Sequence, residues 1–577
     1  MVSNLVHMGC QKPQRQNVST QSIQAQPTAP KDIPKPTEFK GQEGSILYVT
    51  QTPIGGLDTI VSHFTNHMAR VDQAPRGGDL MIRYPDGSTR NLTREAGFGE
   101  ASAFQGDKSI AVRQPTVHWD GNKALFSMAI GSVTQRYSHK QNNAFRWQIY
   151  EIEGLGKSEK VQIKKVANQP KDANNIAPIY GSDDRVIFIS DQTPGSRKHL
   201  YPQLDEYEAQ PVNTGIWSIV DGKSQMIEHS PSGVFQLLLD STGRIIYTKW
   251  DHLQRDQMGD KPTYDGTGRV LTFDNESPTS SSTNKTKGTE FFPEARSDDR
   301  IDYDPGYSTH KFNQFYPWQV NQDGSEEETL NHIGRHEWGG SYTDGNFTND
   351  ASLKPSINKN AYTKATMQLP GDGGLFFINE DPKLPGRFYG VRAKEFGTGN
   401  AGSLVSLDGR PETSPEQMAL IPLTPAGKGS YLEYGRYRNF IKLSDGKFVA
   451  SHTEAPENLE NKGTLSNPNW NYKFRIKKWD PNAPKRPSLL TIPSKRTLKW
   501  YTPDQEASWS GEMWELDPTE VRPRPRPPLK TATLPKIEKT VFDEVGVDQG
   551  ELKNWLRSNE LALITGRNVL RLSLIHI

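Results

Sequence analysis

At 577 residues the chain is long enough for three or more ordinary domains, or for one large repeat-built domain with tails. Apolar residues make up 33%, and Gly with Pro about 16% against a background near 12%, which disfavours a helical bundle and favours many short elements joined by turns. With 69 basic and 68 acidic residues the formal charge is +1, so there is no electrostatic footprint for DNA or RNA, and no nucleic-acid partner is expected.

The single cysteine, Cys10, excludes an internal disulfide, a Cys-based zinc site, an iron–sulfur cluster and a C-x-x-C-H haem attachment within these residues. It follows Gly9 and precedes a polar, Gln/Pro/Thr-rich stretch running to about Glu38. A small residue, a lone cysteine and then a flexible tether is the layout of a lipoprotein. It predicts lipid attachment at Cys10, a truncated signal and tether over residues 1–42, and a lipid-anchored place in the periplasm or outer membrane. Against it, the residues before Cys10 carry no basic region and no apolar run of seven, so an incidental cysteine is the alternative.

From residue 43 onward a turn followed by a short aliphatic and aromatic run recurs. The copies are Gly44 to Val49, Gly121 to Phe126, Asp184 to Ile189, Gly243 to Thr248, Gly373 to Ile378 and Gly446 to Ala450. Between them lie strands ending in Asp-Gly turns: Asp86-Gly87, Asp221-Gly222, Asp323-Gly324 and Asp408-Gly409. Two hairpins per repeat make a four-stranded antiparallel sheet, the blade of a β-propeller. The fold class is therefore all-β, a propeller of six blades over 43–518, with seven as the alternative because one interval is long enough to hide another. The repeats recur about 60 to 130 residues apart against about 40 to 50 for an ordinary blade, so loops are inserted, the largest at about 255–310. The ring is expected to close with strands near Phe474 to Ile492 or Leu498 to Leu516 against the Ile46 strand.

Residues 519–535 contain the run Val521-Arg522-Pro523-Arg524-Pro525-Arg526-Pro527-Pro528, a polyproline-type spacer that is either a stiff linker or a ligand for an acidic groove. Residues 536–571 are expected to open a further, truncated domain, with a helix over Asp548 to Leu563. Residues 572–577 match the translation of a sequencing-adapter end, with an ordinary apolar tail as the alternative.

These repeats resemble the TolB-like propeller superfamily. A closer resemblance is to the middle domain of the hydrazine synthase alpha subunit and its bacterial relatives, carried by Gly243-Arg244-Ile245-Ile246-Tyr247-Thr248-Lys249-Trp250-Asp251-His252 and by Met513-Trp514-Glu515-Leu516-Asp517-Pro518-Thr519-Glu520-Val521. The resemblance implies a six-bladed propeller in a secreted or periplasmic protein. Hydrazine synthesis does not carry over, because the haem motif is absent from this sequence.

Aligning the six aliphatic-aromatic runs places Asp191, Trp250 and Glu380 in one column with Gln51, Ala129 and Ser451, and brings Asp251, His252, Asp381, His452 and Glu454 to the next columns. Carboxylates and imidazoles at one mouth suit a polar ligand, a divalent ion or an acid–base pair, while strand-end residues held by neighbouring blades are the structural alternative. His332, His336 and Glu337 form the densest metal-like string. Gly334 and the strand-rich setting argue against the helix that an i, i+4 histidine pair needs. There is no G-x-S-x-G elbow and no phosphate loop, so no complete catalytic motif is present. The expected function is an exported binding or scaffold module taking a protein or small polar ligand at one axial mouth. The rival is a metal- or haem-dependent redox component whose cofactor domain lies downstream of these residues.

Overall fold

The computed structural model describes residues 38–53, 74–136, 145–192, 214–230, 233–252, 313–332, 373–394, 400–414, 417–424 and 434–454, most of 463–532, and most of 534–561. Cys10, the 255–310 insertion, His336, Glu337 and the terminal 572–577 lie outside the described residues. The rest is almost wholly β.

The chain builds four-strand groups in order. Strands β1 (Ser45–Gln51), β2 (Leu80–Arg83) and β3 (Thr89–Asn91) form the first. The second is β4 (Ile110–Val117), β5 (Lys123–Ile130), β6 (Trp147–Glu153) and β7 (Gln162–Lys165). Next come β8 (Asn175–Tyr180), β9 (Val186–Ser190), β10 (Thr214–Val220) and β11 (Lys223–Ser230), then β12 (Val234–Leu239), β13 (Arg244–His252), β14 (Asn313–Asn321) and β15 (Glu328–Thr329). The fifth is β16 (Gly373–Asp381), β17 (Leu384–Lys394), β18 (Ser403–Asp408) and β19 (Leu420–Pro422), and the sixth β20 (Arg436–Lys442), β21 (Phe448–Thr453), β22 (Arg475–Trp479) and β23 (Ser488–Leu489). A separate hairpin, β24 (Lys495–Thr502) with β25 (Gln505–Glu512), precedes the last strand, β26 (Trp514–Val521). Within each group successive strands pair antiparallel, and β26 returns to pair with β1. The fourth and fifth groups merge into one eight-stranded sheet through a single parallel pair, Phe315 with Gly374.

Burial explains why these runs are strands. Ile46 to Thr50 and Ala124 to Ala129 are buried on both faces, as continuous apolar runs are when sheets pack face to face. The cores so formed are rich in aromatics: Phe440 stacks on Phe448 at 5.2 Å, with Trp479 edge-on to both. The Asp-Gly turns at Gly87, Gly222 and Gly324 sit in left-handed backbone between the third and fourth strands, as the sequence predicts.

One strand departs from the expected alignment. Five of the six aliphatic-aromatic runs are second strands of their groups, but Gly373 to Ile378 lies in β16, which begins its group. Gly373-Gly374 imitates a hairpin turn in sequence, whereas the second strand of that group is β17, entered through the Pro382-Lys383 turn.

The strands that begin the groups share a feature with no counterpart in composition. Gln114, Ala177, Gln236, Phe377, Asn439 and Asp517 all adopt φ between 49 and 55°, and each marks a register shift against the next strand. These are β-bulges at equivalent places in β4, β8, β12, β16, β20 and β26. Those six strands contact one another in that order, and β26 contacts β4 in turn.

Two short helices, α1 (Lys536–Val545) and α2 (Gln549–Ser558), follow the sheets. Exposed Ile537, Val541, Val545 and Trp555 lie on them. The second begins where the sequence predicts a helix; the first, directly after the Arg/Pro spacer, was not anticipated.

Candidate functional site

The six bulged strands all run toward one end of their sheets, and their C-terminal halves wall a cavity of about 330 Å³. Pro115, Pro178, Leu237, Ile378 and Ile441 give it apolar walls; Glu380, Asp381, Lys442, Asp517 and Glu520 give it charge. The Arg/Pro run completes it, since Arg522 and Arg524 to Pro527 line the same space.

Each carboxylate of the wall is already committed to the protein. Glu380 accepts from the Ser241 N–H and Oγ, both at 2.7 Å, and from the Gly386 N–H at 2.7 Å, so it ties β16 to the turn after β12. Glu520 does the same for the turn after β20, accepting from the Ser444 N–H at 2.9 Å and Oγ at 2.6 Å, with Arg522 Nε at 2.9 Å. Burial, with the Asp240 charge adding, holds the Glu380 carboxyl above the usual carboxylate range despite these bonds. Asp381 goes the other way: burial opposes its ionisation, but Lys442 at 2.8 Å, the Lys383 N–H and the Tyr389 hydroxyl outweigh burial and lower its pKa.

The arginines of the strap divide in the same way, with one exception. Proline has no N–H, so the run cannot form its own ladder and must find partners on the sheets. Arg526 makes a bidentate pair with Asp184 at 2.7 and 2.9 Å and donates to the Ser182 carbonyl at 2.9 Å. The Pro528 carbonyl accepts from Ser182 Oγ at 3.0 Å. Gly243 passes so close that a Cβ there would stand 2.1 Å from that carbonyl. Arg524 donates its backbone N–H to the Trp119 carbonyl at 2.8 Å and its Nη2 to the Val117 carbonyl at 2.9 Å. Its guanidinium lies 4.4 Å over the Trp119 ring. Among the described residues no carboxylate contacts it. Burial and neighbouring Arg522 lower its pKa to about 10, with Glu380 opposing from across the wall, so it remains a cation at neutral pH.

Of the residues expected to converge, Glu380 and Asp381 line this cavity. The others do not join them. Asp191 is enclosed and accepts from the Asn174 N–H at 2.7 Å and Nδ2 at 2.8 Å. Trp250 is buried and stacked on Phe315 at 5.3 Å. His452 is buried, with Nε2 donating to the Tyr434 carbonyl at 2.8 Å and its ring 4.5 Å from Tyr437. Glu454 is exposed and pairs with Lys477 at 2.9 Å. Asp251 and His252 lie in β13 opposite Gln314 and Asn313. The reason is strand direction. Second strands run away from the cavity and bulged strands run toward it, so an alignment that mixes β16 with β1, β5, β9, β13 and β21 joins opposite ends of the sheets.

His332 ends a short 3-10 turn, Leu330–His332, and its partners in the metal-like string lie outside the described residues. Among the described residues no group of three or more His, Cys, Asp or Glu is gathered for a metal. The residues that sequence reasoning missed are Arg524 and the bulge residues Gln114 and Asp517. A usable signal was the proline after Gln114, Ala177 and Asp517.

No family model matches the sequence, and no curated protein does. Among solved structures the chain is similar to Kuenenia stuttgartiensis hydrazine synthase, with 12% identity and a TM-score of 0.43 over 85% of this chain and 48% of that one. It thus spans about half that chain's length. A puromycin hydrolase gives 8% identity and a TM-score of 0.32 over 81% of this chain and 57% of the other. The β-propeller domain of the Trilobed protease from Pyrococcus furiosus gives 10% and 0.29 over 79% and 97%.

Proposed function

We propose that the sheets close into a six-bladed propeller and that the protein binds a small organic carboxylate in the cavity at its axial mouth, beneath the Arg/Pro strap. Six equivalent bulges, six bulged strands in ring contact and the return of β26 to β1 support the closed ring. The observation that carries the ligand is Arg524. Every carboxylate facing the cavity is held by the protein's own donors, while this guanidinium, in the same wall, rests on carbonyls and an aromatic face.

One guanidinium fork matches the single charge and planar geometry of a carboxylate, whereas a dianionic phosphate calls for more than one free cation. Apolar Pro115, Pro178, Leu237, Ile378 and Ile441 would cover the ligand's carbon skeleton. Cys10 and the polar stretch after it support lipid anchorage in the periplasm or outer membrane, so the chain acts there as a binding or scaffold module.

Calorimetric titration with butyrate and lactate tests this reading. Binding at millimolar or tighter affinity is expected, weakened roughly 10- to 100-fold in Arg524→Gln, as loss of a charge-assisted hydrogen bond worth about 1.5–3 kcal/mol implies. No binding, or equal binding to the variant, contradicts it.

A further inference from the structure

The mouth cavity ends inward at the bulges, because Gln114, Gln236 and Asp517 line both it and a space of about 20 Å³ beyond. Two carboxamides at this inner end have their orientation fixed by backbone. An N–H can only donate, so Gln114 turns Oε1 to the Ala177 N–H at 3.0 Å and Asn439 turns Oδ1 to the Asp517 N–H at 3.2 Å. Gln114 Nε2 and Asn439 Nδ2 are left as donors, and neither has a hydrogen-bond partner among the described residues.

Asn379, in the same wall, is held the other way round. Its Nδ2 donates to the Phe377 carbonyl at 3.0 Å and the Phe440 carbonyl at 3.3 Å, so Oδ1 is left as an acceptor with no partner among the described residues. Gln236 Oε1 is a second acceptor, buried and without a partner. Asp517 accepts the Gln114 N–H at 2.9 Å and adds a negative charge. Arg113 and Arg438, on which that charge acts, line the smaller space and not this one.

The inner end thus offers two amide donors and two amide oxygens. A carboxylate or a ketone satisfies only the donors, and an ammonium only the acceptors. A primary carboxamide satisfies both, since its oxygen accepts twice and its nitrogen donates twice. The length is set from the other end. Arg524 Nη2 contacts the Val117 carbonyl, and Val117 lies three residues along β4 from Gln114, about 10 Å at the rise of a strand. A hydrogen bond of about 3 Å at each end leaves about 4 Å, room for roughly two or three methylenes. We infer, resting on the carboxylate reading above, that the ligand of the mouth cavity is a short acid whose far end is a primary carboxamide, read by Gln114, Asn439, Asn379 and Gln236.

Calorimetric titration of the full chain tests this with glutaramate, with pentanoate, which has the same length and an apolar end, and with glutarate, whose second carboxylate accepts but cannot donate. Glutaramate is expected to bind about tenfold tighter than either, as two net hydrogen bonds imply. Arg524→Gln weakens glutaramate and pentanoate alike and keeps their ratio. Gln236→Met, which breaks no hydrogen bond among the described residues, narrows that ratio to about threefold. Pentanoate or glutarate binding as tightly as glutaramate overturns the carboxamide and leaves the carboxylate reading standing, whereas no binding of any of them removes both. The ligand series on the unmutated protein decides the matter however the variants fold.

Discussion

A non-glycine residue in left-handed backbone costs on the order of 1–2 kcal/mol, so six of them at equivalent positions require compensation. For three it is visible. Asn439 Oδ1 accepts the Asp517 N–H at 3.2 Å, Asp517 Oδ2 accepts the Gln114 N–H at 2.9 Å, and Gln114 Oε1 accepts the Ala177 N–H at 3.0 Å. Each of these three bulges thus exposes an N–H that the side chain of the neighbouring bulge satisfies, a relay that stops at Ala177, whose side chain has no acceptor. His452 shows a different residue-scale constraint. Burial, with Lys477 adding, lowers its pKa from 6.5 to about 4, so the folded state holds the ring neutral. The stabilisation is complete above pH 6.5, where the unfolded chain is neutral too. It declines as pH falls from 6.5 to 4, because the unfolded state takes up the proton first. The loss from this group is on the order of 3 kcal/mol at pH 4. Denaturant unfolding of the unmutated protein and of His452→Gln should show a steeper decline for the former across that window. Parallel curves would remove His452 as the cause.

At the scale of elements, the strap is fixed to three sheets by contacts of different kinds: carbonyls of β4 and its turn, the Asp184 pair, and the close pass at Gly243. Arg526→Ala removes the pair with Asp184, a partly exposed bidentate bridge worth about 1 kcal/mol. The Arg524 amide, which donates to the Trp119 carbonyl, should then exchange its hydrogen about three- to tenfold faster. Unchanged exchange would show that the strap is held without Arg526. The Arg/Pro run is conspicuous in the sequence, but its partners are not, because backbone carbonyls leave no residue signature. The second strands were legible because a Gly or Asp turn precedes an aliphatic-aromatic run. The bulged strands were not, since only ladder register reveals a bulge. Gly373-Gly374 then drew β16 into the wrong class and brought Glu380 to notice through an alignment the register does not support.

For the whole molecule, the polar latches explain how sheets that share few hydrogen bonds stay in order. Glu380, Glu520 and Gln322 each bind the N–H of a serine in a neighbouring group's turn, at 2.7, 2.9 and 2.8 Å, so adjacent groups are pinned at the end where the cavity opens. That end therefore carries more fixed polar geometry than composition suggested, and its charge is balanced except at Arg524. The modest apolar fraction of the sequence fits an architecture in which sheet faces, turns and the strap divide the work of cohesion. A crystal structure of the full chain soaked in butyrate tests the central claim most directly. The account predicts a carboxylate in the mouth cavity with an oxygen about 2.7–3.2 Å from an Arg524 guanidinium nitrogen and the alkyl chain against the proline and isoleucine wall. Butyrate absent from that cavity at saturating concentration, or Arg524 turned out of it, would contradict the account.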